Sequence, residues 1–440
     1  MDKKDIYENN EEKNEENYRF VKQVIKKKTI QPKDILIRIG CIVGSAVLFG
    51  IIAAFVFVQF IDIVDVPNQE QETLTQIDLG EDTDEIEVVV EPTPTVTPTP
   101  ESGAVDQGSQ DTESQEESMI AAYNAMYEEM QQVAQDAMTY MVTITGINSE
   151  EDWFAVQSDS SKQASGVIIA QNESAYYILT EYKTVDIVER IVVAFCDGTM
   201  TDGRYLMHDP NTGLTILKVD KLNVTVATKG KIKVAPLGNS YRTMQGDAVI
   251  AIGSPMGYSN SIVYGQITST TNTIATWDKQ YNLLTTSMLG NSSGNGVLIN
   301  LDGHVVGILA QDLELDSYEN MIVAFPISQL KGLIERLSNS EPLPCLGIKG
   351  QNVTDEVANQ TGMPKGIYVT AVKSKSPVFD AGIRNGDIIT MLNDHEISSM
   401  SEYTELLYEI EPGTVVNLKI MRKSTEGYRE FDFDVVSATW

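Results

Sequence analysis

The sequence predicts a mainly β protein held by a single membrane-crossing helix, and three features carry that expectation. A series of short β-prone runs separated by turn residues fills the stretch from Val142 to Ile327. Residues 39–61 form an uncharged apolar run long enough to cross a bilayer. Between the two lies a polar, Pro- and Thr-rich spacer of a composition that cannot bury a core.

Taken in order, residues 1–38 are polar and mixed in charge, with Arg19, Lys22, Lys26, Lys27, Lys28, Lys33 and Arg38 crowding the second half. Residues 39–61 follow without a charge. At 1.5 Å per residue such a helix spans a hydrocarbon core of about 30 Å. The polar lead is too long, and the apolar run too extended, for a cleaved signal peptide. Cations before the span and Asp62, Asp65, Glu70 and Glu72 after it predict a cytoplasmic N-terminus, with all later domains outside.

Residues 62–117 are rich in Glu, Asp, Gln, Thr and Pro, including the run EPTPTVTPTP at 91–100, and read as a disordered acidic stalk. Ser114 and Glu117 form a capping box. Met119, Ala122, Met126, Met130, Val133, Ala137 and Met141 then recur at helical spacing, a packing face for the next domain or a neighbouring chain.

The net charge of −31 disfavours nucleic acid as a partner, since that needs a basic face. The three cysteines, Cys41, Cys196 and Cys345, lie far apart and read as neither a disulfide framework nor a metal cluster. No motif requires a cofactor.

The β runs fall at 142–145, 166–170, 176–180, 191–195, 215–219, 248–252, 262–267, 296–301, 304–309 and 321–325, the pattern of a barrel or sandwich. The chain from Thr285 to Ile308, TTSMLGNSSGNGVLINLDGHVVGI, is a strand end, a Gly/Ser loop and a hairpin turning at Asp302-Gly303. Ser165-Gly166-Val167-Ile168-Ile169, Tyr177-Ile178-Leu179-Thr180, Asp209-Pro210, the segment from Ala251 to Gly257 and Ala324-Phe325-Pro326 stand in an order and spacing that resembles the HtrA-type (Deg) proteases of bacterial envelopes. The resemblance implies a trypsin-like double β-barrel for residues 118–338, including the N-terminal helix. An amphipathic helix at 328–338 and the linker Glu341-Pro342-Leu343-Pro344 close it. Residues 339–440 resemble the α+β PDZ domain that follows the protease in that family. Cys345-Leu346-Gly347-Ile348 matches its carboxylate-binding loop, Ala381-Gly382-Ile383-Arg384-Asn385-Gly386-Asp387 its A-G-L-x-x-G-D core, and 401–410 the helix walling its groove.

Trypsin-like catalysis needs a serine nucleophile, a histidine base and an aspartate that orients the imidazole. The resemblance aligns the histidine slot with Lys183, the aspartate slot with Gly213 and the serine slot with Gly294, or with Ser292 if the loop carries a compensated shift; Ser293 lies between them. The remaining histidines, His208, His304 and His395, read as surface residues. Lysine has an unperturbed pKa near 10.4, so about one in 10³ such groups is neutral at pH 7, and Lys183 could act as a base only if strongly desolvated. Glu181 or Asp186 could instead hold it charged.

The expectation is a peptide-binding or scaffold pseudoprotease acting in envelope protein quality control or regulation. The alternative from another class is a Ser–Lys endopeptidase using Lys183 with Ser292 or Ser293. Partners would be extended or unfolded peptides and protein C-termini, the latter held by the backbone N–H groups of Leu346, Gly347 and Ile348. The lipid bilayer is met through the one helix. The resemblance further implies homo-trimers, or hetero-oligomers with an active homologue.

Overall fold

A computed structural model describes residues 76–82, 111–148, 163–310 and 320–440, with 111–117 as backbone only. The predicted span at 39–61 lies outside them, and among the described residues no helix is long and apolar enough to cross a membrane.

Helix α1 (Asp111–Ala137) starts three residues before the expected capping box. Its methionine stripe packs only towards its C-terminal end. Ala134 and Ala137 are buried, with Met130 and Val133 against the core, whereas Met119 and Met126 are exposed.

Strands β1 (Met141–Ile147), β2 (Gln163–Gln171), β3 (Ala175–Glu181), β4 (Arg190–Ala194), β5 (Met200–His208) and β6 (Leu214–Asp220) close into a barrel in the order β1-β2-β3-β6-β5-β4. Short helix α2 (Val226–Lys229) leads towards a second closed barrel. Its strands are β7 (Ala248–Ser254), β8 (Ser261–Thr276), β9 (Lys279–Leu289), β10 (Asn295–Ile299), β11 (Val305–Leu309) and β12 (Met321–Pro326), in the order β10-β11-β12-β9-β8-β7. The β-branched runs read from the sequence supply the inward faces. Ile144, Ile168, Ile178 and Leu217 fill the first barrel, and Val249, Ala251, Leu284, Leu298 and Ile322 the second, while Ile216, Ile250, Ile252 and Leu283 join a further buried cluster that both barrels share. Closure leaves neither barrel with an open edge.

Helix α3 (Ile327–Asn339) buries Leu330, Leu333, Ile334 and Leu337 and turns another stripe, Ser328, Lys331, Glu335 and Asn339, towards residues 76–82. Here the structure corrects the expectation of a wholly disordered stalk over 62–117. Asn339 exchanges two hydrogen bonds with the Ile77 backbone, at 2.9 and 3.0 Å, and Glu335 accepts from the Leu79 N–H. Asp82 takes the Ser328 hydroxyl at 2.5 Å and the Lys331 ammonium at 2.9 Å. Composition averaged over the segment hides one apolar residue, Ile77, that is buried, and one carboxylate that meets a nearly buried lysine.

The C-terminal domain runs β13 (Pro344–Cys345), β14 (Ile348–Val353), α4 (Asp355–Thr361), β15 (Gly366–Val372), α5 (Pro377–Ala381), β16 (Ile388–Leu392), β17 (His395–Glu396), α6 (Met400–Tyr408), β18 (Val415–Ser424), β19 (Gly427–Val436) and β20 (Ala438–Thr439). Its main sheet has the order β14-β15-β16-β18-β19, and β13 pairs with β20. β14 pairs with β15 on one side, and α6 lies near its other edge, where Met400 N–H donates to Asn352 Oδ1 at 2.8 Å. Both barrels and this sheet belong to one compact unit, Thr75–Trp440.

Candidate functional site

The three slots for catalytic side chains, read from the sequence, converge at the junction of the barrels. Lys183 sits in the single helical turn Tyr182–Thr184 that follows β3, and the neighbouring Tyr182 N–H donates to the Gly213 carbonyl at 2.8 Å. Across the junction, Asn295 Nδ2 donates to Glu181 Oε2 at 3.4 Å, bringing the loop before β10 against the end of β3. Asn295 Oδ1 accepts the Ser165 N–H at 2.7 Å, and the Ser165 and Ser254 hydroxyls lie 2.8 Å apart.

At the histidine slot, Lys183 Nζ lies 3.1 Å from Glu181 Oε2. The Glu181 side chain is 13% exposed and that of Lys183 44%, so the pair sits at the mouth of the junction with its carboxylate inside. Of the two acids weighed as partners, Glu181 is the one that meets Lys183. Asp186 instead accepts from the Tyr182 hydroxyl at 2.9 Å.

At the aspartate slot, Gly213 has φ +70°, closes a turn with its N–H on the Asp209 carbonyl at 2.9 Å, and carries no side chain to orient a base. The buried Asp209 carboxylate is consumed by that same turn, accepting from Asn211 N–H, Thr212 N–H and the Thr212 hydroxyl.

At the serine slot, residues 291–294 form a tight turn in which the Gly294 N–H donates to the Asn291 carbonyl at 2.7 Å. An oxyanion hole requires such an N–H to be aimed outward and unengaged; here a carbonyl of the chain occupies it. A Cβ at Gly294 would stand 2.4 Å from the Pro255 carbonyl oxygen and 2.8 Å from that of Asn291, closer than real side chains come. Ser292 and Ser293 are exposed, and the Ser293 hydroxyl donates to Asn291 Oδ1 at 2.8 Å. The structure therefore gathers Lys183, Glu181, Gly213 and the 291–295 loop in one place, with an ion pair and amide bonds where proton transfer would occur.

Two of the three histidines are surface residues as read: His304 and His395 are exposed. His208 differs. Its ring is half-buried and stacks on Tyr182 at 3.6 Å between centroids, with Nδ1 2.7 Å from the Tyr205 hydroxyl. The sequence carries no signal for this, because the stacking partner comes from a distant turn. Nor does it single out Asn295, one polar residue in a Gly/Ser loop.

In the loop leading into β14, Leu346, Gly347 and Ile348 turn three N–H groups to one point. They converge on the side chain of Asp278, at the tip of the β8–β9 hairpin, at 2.8–3.0 Å. Nothing in the sequence marks Asp278. Among the described residues no three His, Cys, Asp or Glu side chains converge as a metal site requires.

Comparison with known proteins accords with this architecture. The trypsin-like peptidase domain family matches residues 164–308, and the PDZ domain family matches residues 344–430. The proteins it resembles along both domains are named as HtrA- and DegP-type serine proteases. The serine protease Do-like HtrA of Bacillus subtilis (strain 168) is 28% identical over 329 residues, 69% of this chain and 72% of that protein. That of Lactobacillus helveticus is 25% identical over 285 residues, 61% of this chain and 67% of that protein. A probable periplasmic serine endoprotease, DegP-like, of Halomonas elongata (strain ATCC 33173 / DSM 2581 / NBRC 15536 / NCIMB 2198 / 1H9) is 29% identical over 264 residues, 59% of this chain and 53% of that protein. Among solved structures, the HtrA-type protease AlgW with tripeptide aligns over 71% of this chain and 97% of its own, with a TM-score of 0.51 and 21% identity, a likeness of fold. The double barrel followed by a PDZ domain is thus an arrangement this chain shares with HtrA-type proteins.

Proposed function

We propose that this chain is a membrane-anchored, extracytoplasmic HtrA-type pseudoprotease that binds extended peptides and protein C-termini, in protein quality control or regulation at the cell envelope. The observation that carries the reading is the serine slot. Gly294 offers no oxygen, and its N–H is engaged by the Asn291 carbonyl. The Lys183–Glu181 ion pair and the bare Gly213 support it, since base and orienter are absent together. A positioned histidine base contributes roughly 10²–10⁴-fold to such reactions, and its loss leaves only binding and residual electrostatics.

Anchoring rests on the uncharged run at 39–61 with its flanking charges. The PDZ loop supports C-terminal recognition, because three converging N–H groups are what a carboxylate needs. The periplasmic description of several relatives is consistent with an extracytoplasmic position for the folded domains.

Full-length protein incubated with unfolded casein and a serine-directed phosphonate is expected to show neither turnover nor labelling. Steady cleavage that disappears in Ser292→Ala or Lys183→Ala would overturn the reading in favour of a Ser–Lys enzyme. Protease added to protoplasts is expected to remove the C-terminal domains and spare residues 1–38.

A further inference from the structure

The β8–β9 hairpin of the second barrel turns through two residues, Trp277 and Asp278, between the paired Thr276 and Lys279. Asp278 takes the left-handed conformation there, with φ +60°. This aims its side chain out of the barrel and into the PDZ domain. The carboxylate receives Leu346 N–H at 2.9 Å, Gly347 N–H at 2.8 Å and Ile348 N–H at 3.0 Å, and the Tyr403 hydroxyl of α6 donates to Oδ1 at 2.9 Å. Its main chain is held as well. Asp278 N–H donates to the Ile348 carbonyl at 2.6 Å, and the Asp278 carbonyl accepts from the Thr404 hydroxyl at 3.0 Å.

These contacts amount to the end of a bound peptide. A carboxylate fills the N–H cradle, and a backbone N–H makes the first strand-addition bond to β14 between that strand and α6. Asp278 is 3% exposed and Tyr403 fully buried, so water does not compete for the cradle. Flanking residues extend the grip: Lys349 of β14 places its ammonium 5.0 Å from the centre of the Trp277 ring. A buried carboxylate with this many donors is a matched ligand, and the barrel supplies it in the same chain.

We infer that Asp278 is a built-in ligand of the PDZ carboxylate cradle, and that the groove accepts a partner's C-terminus only when this hairpin withdraws. The competitor named here rests on the peptide-binding reading above; the occupancy by Asp278 does not. An internal ligand acts at the effective concentration of its tether, in the mM range for short connections. Apparent peptide affinity is lowered by the fraction of molecules with the groove open. Binding at the PDZ domain is therefore coupled to separation of that domain from the second barrel.

The test compares full-length wild type with Asp278→Asn and Asp278→Gly, two residues that tolerate the left-handed turn. Hydrogen–deuterium exchange at residues 346–348 is expected to be slow in wild type and at least tenfold faster in both variants. A random C-terminal peptide library with free carboxyl ends should bind both variants at least tenfold more tightly than wild type, and amidated peptides should not. Equal affinity for wild type and variants overturns self-occlusion while leaving peptide recognition intact. Faster exchange with no peptide bound by any of the three proteins keeps Asp278 as the resident ligand and overturns the C-terminal competitor. Unchanged exchange in both variants overturns the inference.

Discussion

Lys183 Nζ lies 3.1 Å from Glu181 Oε2, and the same carboxylate oxygen is 3.4 Å from Asn295 Nδ2. Lys183 is thus part of a polar network that ties β3 to the loop before β10. The proposed loss of catalysis rests on loop geometry as well as residue identity, since the Gly294 N–H is engaged by the Asn291 carbonyl. The triple variant Lys183→His, Gly213→Asp, Gly294→Ser is expected to remain inert towards unfolded casein. A serine Cβ introduced at Gly294 has no room beside the Pro255 and Asn291 carbonyls, and overpacking of this kind costs about 1–3 kcal/mol. The variant should also melt below wild type. Casein cleavage by the triple variant that disappears when position 294 is returned to glycine would show that the loop retains a productive shape.

Asn295 bridges the two barrels through Ser165 N–H and is 4% exposed. Asn295→Ala leaves that buried donor without its acceptor, an expected loss of about 1–3 kcal/mol in urea denaturation. Asn295→Asp keeps the acceptor but sets a second carboxylate against Glu181. It should therefore be destabilised too, and more at pH 8 than at low pH, because repulsion between the two carboxylates fades as they take up protons. A neutral Asn295→Ala would remove the network from the account of the junction.

Asp82 and Lys331 form an ion pair with side chains 15% and 11% exposed. Asp82→Ala strands the lysine ammonium and is expected to cost roughly 2 kcal/mol, with residues 76–82 becoming cleavable in limited proteolysis. Asp82→Ala combined with Lys331→Met should recover part of the stability, since the unpaired buried charge is then gone. The segment should stay cleavable in both. Equal stability of the single and double variants would mean that solvent reaches Lys331 freely.

Lys279, beside Asp278, donates to the Gln329 carbonyl at 2.9 Å and lies over the rings of Tyr281 and Tyr408. Burial lowers its pKa from 10.5 to about 8, against the opposing pull of Asp209 and Glu405. Between those two values the unfolded chain carries the extra proton, so this group's contribution to stability rises with pH from about 8 to 10.5 and is lost as pH falls through 8. The melting temperature of wild type relative to Lys279→Met is expected to be flat from pH 6 to 7 and to climb from pH 8 to 10. A difference that stays constant across pH 8 to 10 would contradict burial as the cause.

Much of the fold is legible in the sequence because its signals are local. Alternating apolar residues and turn glycines place ten of the twelve barrel strands, but they miss β5, catch only the end of β9 and stop β8 nine residues short, while the core of the C-terminal domain is visible in A-G-I-R-N-G-D. The structure gives that motif its physical content: the buried Asp387 carboxylate receives Arg384 N–H at 2.8 Å and both forks of Arg422 at 2.7 Å. The stalk is less legible, because composition averaged over residues 62–117 cannot show that Ile77 and Asp82 have partners on α3. The methionine stripe of α1 reads as one face, yet only its C-terminal part is covered.

The sequence by itself led to the expectation that Lys183, Gly213 and Gly294 or Ser292 stand where the HtrA resemblance implies a triad, because aligning short motifs needs no coordinates. It also led to the expectation that Leu346, Gly347 and Ile348 offer a carboxylate cradle, as the PDZ resemblance of that short contiguous motif implies. Only the tertiary structure decided what fills these places. Asn295 meets Ser165 from 130 residues away, and Asp278 reaches Leu346 from 68. A single asparagine or aspartate in a polar turn has no periodicity to announce its partner; closure of the barrels and the packing of α6 against the β8–β9 tip bring donor and acceptor within reach.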